Sequence, residues 1–84
     1  MGMRYSFDLE NVLEQLGVTK NHLAVETKIR PATILDLSKG KTRRVELATI
    51  ETLLDEINKI ARDRGIEKVY TIDDLIKYQP MDGQ

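Results

Sequence analysis

The 84 residues allow one domain, and a chain this short buries only about 60–65% of its unfolded surface, so its core must be compact. It has no cysteine and a single histidine, His22, which excludes disulfide staples, thiolate metal sites and cysteine nucleophiles and leaves no metal site without carboxylate help. The net charge of −1 hides a partition: Lys20 to Arg44 holds seven basic and two acidic residues, net +5, and the remainder is −6, so one electropositive face can meet a polyanion.

The longest apolar run, Leu23-Ala24-Val25, is far short of the ~20 residues of a membrane span and too short for a secretory signal. No membrane partner and a cytoplasmic setting are expected. Met1-Gly2 reads as a cloning remnant and residues 81–84 as a tail, which leaves 3–80 as the folding unit. Met3 to Phe7 alternates loosely, as an extended piece does. Leu9, Val12, Leu13 and Leu16 share one helix face, with Ser6 or Asp8 as the start and Gly17 as the left-handed stop. Thr19 caps a second short helix that turns Leu23 and Ala24 inward.

Lys28-Ile29-Arg30 interrupts the pattern. Pro31 fits the first turn of a third helix, where its missing N–H costs nothing, and Arg30 before it is pushed to extended backbone. Ile34 and Leu37 form that helix's inner side and Gly40 ends it. Lys41 to Val45 is a basic loop. Leu47, Ile50, Leu54, Ile57 and Ala61 predict a long helix over about 47–64, with Leu53 and Ile60 widening the stripe and Gly65 ending it. Lys59, Arg62 and Arg64 suit the negative end of its dipole. Lys68 to Tyr70 reads as extended. Thr71 with Asp74 resembles a capping box for a last helix through Leu75, Ile76 and Tyr78, stopped by Pro80.

Residues 20–39 carry the functional signal. Two short helices about three residues apart match a helix-turn-helix. Its packing needs a small residue in the first helix (Ala24), an apolar plug in the turn (Ile29) and two inward residues three apart in the second (Ile34, Leu37). With Gly17-Val18-Thr19-Lys20-Asn21-His22-Leu23-Ala24, Ile29-Arg30-Pro31-Ala32-Thr33-Ile34 and Leu37-Ser38-Lys39-Gly40-Lys41, the sequence resembles the Cro/C1-type (XRE-like) helix-turn-helix regulators of phages and bacteria. The likeness covers about residues 8–57 firmly and 71–80 loosely. It implies an all-α, five-helix, lambda-repressor-like DNA-binding domain. A minor strand pair between Arg4–Phe7 and Lys68–Tyr70 is compatible with it. Three departures stand out: Lys28 replaces the usual turn glycine, Lys20 replaces a phosphate-binding glutamine, and Asn58 to Tyr70 is longer than in minimal members.

In such proteins the third helix lies in the major groove with its N-terminal half toward base edges. By spacing, Ala32, Thr33 and Asp36 face outward. Ala32 and the Thr33 methyl suit a thymine methyl, and Asp36 suits cytosine N4. Lys20, Arg30, Lys39, Lys41, Arg43 and Arg44 are placed for phosphates. Asp36 has a second reading, an ion pair with Lys39 or Lys20 on a solvated face. Tyr5, Phe7, Tyr70 and Tyr78 are too scattered for base stacking and read as core or interface.

The expected function is sequence-specific binding of double-stranded DNA by a repressor-like transcriptional regulator. The runner-up is a protein-interaction module on the same fold, of antitoxin or antirepressor type. No nucleophile–base pair, phosphate-binding glycine loop or metal set supports an enzyme, and no cofactor is implied. Surplus apolar residues (Leu53 and Ile60 beside the main stripe, then Ile66, Val69, Tyr70, Ile72, Leu75, Ile76 and Tyr78) predict a homodimer through the C-terminal half. The competing expectation is that the last helix folds back to complete the monomer core.

Overall fold

Four leucine and valine side chains at helical spacing make α1 (Leu9–Leu16), and all four, Leu9, Val12, Leu13 and Leu16, are buried. The computed structural model describes residues 4–40, 42 and 44–80. Asp8 precedes α1 and its carboxylate accepts from the Asn11 side chain at 3.2 Å rather than from a helix N–H. Gly17, at φ 71°, ends the helix. The Arg64 guanidinium, distant in sequence, donates to the carbonyls of Leu16 and Gly17 there. Arg64 thus serves the end of α1, correcting the expectation that it serves its own helix.

α2 (Lys20–Thr27) and α3 (Pro31–Lys39) follow as the spacing predicts. The long helix α4 (Leu47–Asp63) lies within a residue of its expected bounds, but its buried face is rotated. Ile50, Leu53, Ile57, Ile60 and Ala61 are buried, Leu54 is half-buried and Leu47 is 76% exposed. Leu53 and Ile60 therefore lie within the core face rather than at its margin. Leu47 is the first residue of the helix and its side chain lies in solvent.

The C-terminal region departs most from expectation. α5 is one turn, Ile72–Leu75, and Ile76 turns to extended backbone at φ −131° and ψ 123°. Ile76–Tyr78 forms β2, antiparallel to β1 (Tyr5–Phe7), with Tyr5 opposite Tyr78, Ser6 opposite Lys77 and Phe7 opposite Ile76. A strand pair exists, but its second strand is not Lys68–Tyr70. Asn58 explains the difference. Its side-chain amide donates to Tyr70 C=O at 3.0 Å and accepts from Tyr70 N–H at 2.7 Å, occupying the backbone groups a strand partner needs. Helix cooperativity is low over so few residues, so the β-branched and aromatic Ile76-Lys77-Tyr78 run gains more by pairing.

One core joins these elements. α1 packs on α3 and α5, and α2 packs on α3 and α4. Leu75 is 3% exposed and Ile76 packs against the same cluster. Tyr70, also 3% exposed, sends its hydroxyl to Gln15 Oε1 at 3.1 Å. The last helix therefore completes the monomer core, and much of the apolar surplus expected to serve a dimer is spent inside one chain.

Candidate nucleic-acid interface

Thr19 starts α2 by accepting the His22 N–H at 3.0 Å. His22 itself is exposed. At the far end, the Thr27 hydroxyl donates to Leu23 C=O at 2.7 Å and accepts from Ile29 N–H at 3.2 Å. That bridge brackets Lys28, which takes φ 61°, the left-handed conformation the family's glycine would supply. Ile29 packs against the core as the plug, and Ala24 is buried. Arg30 is extended at φ −60° and ψ 136°, and Pro31 opens α3.

α3 turns Ile34, Leu37 and Ser38 inward; Ser38 satisfies its buried hydroxyl by donating to Ile34 C=O at 2.9 Å. Ala32, Asp36 and Lys39 are exposed, as is Arg30 just before the helix. Thr33 is only half-buried. It lines a cleft with Asp36, Thr42, Arg44 and Thr49, between α3 and the start of α4. Gly40 closes the helix at φ 68°, and a side chain there would press on the Phe7 ring, its Cβ 3.3 Å from Phe7 Cδ1. The β1–β2 ribbon therefore sits against the C-terminal end of α3.

The predicted phosphate contacts divide into groups. Arg30 and Lys39 flank α3 and are exposed. Arg44 is exposed on a backbone pinned by Thr42, whose hydroxyl accepts from Arg44 N–H at 3.2 Å and donates to Arg44 C=O at 2.8 Å. Lys20 lies within 3.8 Å of Glu10, a solvent-exposed pair of the kind worth about 0–1 kcal/mol and readily exchanged for another anion. Lys41 and Arg43 lie outside the described residues. Asp36 makes no ion pair among the described residues, so neither Lys39 nor Lys20 holds its carboxylate. The same residues contain no group of three or more His, Cys, Asp or Glu able to hold a metal ion, and no helix long and apolar enough to cross a membrane.

Sequence reasoning missed two features here. Leu35, in the middle of α3, is exposed, and the signal was the helix's own 100° turn, which places it well away from Ile34 and Leu37. Tyr5 and Tyr78 are exposed and face each other across the ribbon, with ring centroids 5.3 Å apart and Arg4 stacked 5.8 Å from the Tyr78 ring. Their sequence separation hid that pairing.

The profile of the Cro/C1-type HTH DNA-binding domain matches residues 8–58, a span running from the residue before α1 through most of α4. The chain belongs to that family. Membership makes it a helix-turn-helix DNA-binding domain, with α2 and α3 as the motif and α3 as its second helix. The match stops short of Tyr70, α5 and β2, the parts for which the helix-turn-helix pattern offers least guidance. No curated protein and no solved structure matches the chain.

Proposed function

We propose that this chain is a sequence-specific, repressor-like regulator of transcription that acts in the cytoplasm as a homodimer, with α3 laid in the major groove of double-stranded DNA. The supporting observation is the outward face of α3. Ala32, Asp36 and Lys39 are exposed, and the fold makes no use of Asp36 as an ion-pair partner among the described residues. Among the described residues its carboxylate has no ion-pair partner, which suits a surface that meets its ligand from outside the chain. In this reading Ala32, Thr33 and Asp36 meet base edges. Lys20, Arg30, Lys39, Lys41, Arg43 and Arg44 meet phosphates and set register. Two-fold pairing of chains follows from the small footprint of one motif: a dimer reads two half-sites one helical turn apart. The reading assigns no catalytic step, metal or cofactor.

A mobility-shift titration against the promoter flanking its own gene, repeated at several salt concentrations, tests this. Affinity is expected to fall linearly on a log–log plot, and Arg44→Ala to reduce the slope by about 1 with little change in sequence preference. A slope of zero, or no shift at any salt, overturns DNA binding as the function.

A further inference from the structure

Leu35 is 41% exposed at the centre of α3, on a helix whose buried side is already filled by Ile34, Leu37 and Ser38. It does not stand alone. Ala32 precedes it by three residues and Pro31 by four, the two separations that bring helix side chains side by side, and both are exposed. Pro31, Ala32 and Leu35 therefore form one apolar strip along a flank of α3. Thr33 and Asp36 lie on the other flank, toward the cleft with Thr42 and Arg44. Cations frame the strip along the helix: Arg30 precedes it, and Lys39, four residues after Leu35, lies one turn beyond.

A single exposed leucine is ordinary on a protein surface. An apolar strip between two cations calls for a partner that is apolar in the middle and anionic at its margins. The major groove has that character where it holds thymine. Base edges there present donors and acceptors, the thymine C5-methyl is the one apolar group among them, and phosphates line both rims. We propose that Leu35, supported by Ala32 and Pro31, is a specificity-determining residue that reads thymine through its C5-methyl group. Each operator half-site then carries a thymine beneath Leu35. The two flanks of α3 divide the labour: methyl recognition on the Leu35 side, hydrogen bonding on the Asp36 side. This inference rests on the DNA-binding reading above and specifies what the motif reads.

The test begins with an operator taken from a randomised-site selection with the full chain. Each thymine is then replaced in turn by deoxyuridine, which removes the methyl and leaves every hydrogen-bonding group in place. Wild type is expected to lose about fourfold in affinity at one thymine per half-site, the equivalent of about 0.8 kcal/mol for one buried carbon group. Leu35→Ala should bind the thymine and deoxyuridine operators equally, whereas Glu67→Gln, at an exposed position after α4 outside the proposed DNA-binding face, should keep the full wild-type ratio. Because the readout is a ratio within each variant, partial unfolding of a variant cancels. Wild type that is indifferent to deoxyuridine at every position overturns the inference, as does a Leu35→Ala chain that retains the wild-type ratio. Both outcomes leave DNA binding intact. Selection that returns no consensus overturns sequence-specific reading itself, and the Leu35 assignment with it.

Discussion

Lys28 holds φ 61° in the turn between α2 and α3, the only non-glycine residue among those described with positive φ. A left-handed backbone crowds the Cβ of an L-residue and costs roughly 1–2 kcal/mol. The Thr27 hydroxyl, bonded on both sides of the turn, holds the conformation in place despite that cost. Glycine removes the crowding but adds freedom to the unfolded chain, so Lys28→Gly is expected to stabilise by about 0.5–1 kcal/mol net. Urea denaturation measures this, and a lower midpoint for the variant would show that the turn is unstrained. Ala24 and Ile34 are constrained in the opposite sense: both are buried, where a change of volume in either direction costs stability.

α5 has four residues, fewer than a helix needs to persist by its own hydrogen bonds. It is held from outside. Leu75 anchors it in the core, and Asp74 closes its start by accepting Thr71 N–H at 2.9 Å and Lys68 Nζ at 3.0 Å. The Thr71 hydrogen bond, with the Lys68 charge as a smaller contribution, lowers the Asp74 pKa below its ordinary 3.8. A carboxyl depressed on folding stabilises the folded state fully above its unfolded pKa, and that contribution disappears as pH falls through the lower folded value. Asp74→Asn is therefore expected to melt below wild type at neutral pH, with the gap narrowing as pH falls below 3.8. Thermal melts by circular dichroism across that range decide it, and a gap independent of pH would assign the effect to packing.

For the molecule as a whole, the C-terminal apolar residues separate into two sets with different expected behaviour. Leu75 and Tyr70 are each 3% exposed, whereas Val69 is 73% exposed and Ile72 is exposed as well. Leu75→Glu should unfold the chain by burying an unpaired charge. Val69→Glu with Ile72→Glu should leave the monomer folded and, in the proposed dimer, shift the equilibrium toward monomer. Sedimentation equilibrium at micromolar concentration checks both statements. A double variant as dimeric as wild type would move the dimer contact away from this segment.

Local chemistry made the helix-turn-helix legible. Thr19 as cap, Pro31 as first-turn residue, Gly17 and Gly40 as left-handed stops and the Leu9–Leu16 stripe each act within a few residues, so the sequence alone determined α1, α2 and α3. It also determined which side of α3 holds Ile34 and Leu37. The left-handed backbone at Lys28 was legible only through the family resemblance, whose pattern has a glycine at this place. What tertiary structure decided was everything resting on partners far apart in the chain. Asn58 claims the backbone of Tyr70, twelve residues on, and so denies β1 that partner. Arg64 reaches back to the end of α1. β1 finds Ile76–Tyr78 across nearly the whole chain, shortening the last helix to one turn. The buried face of α4 depends on which neighbours cover it, so a stripe as wide as Leu47 to Ala61 left its centre open until Leu47 was found in solvent and Leu53 in the core. Periodicity reports that a face is apolar; only the packed neighbours determine how much of that face water loses.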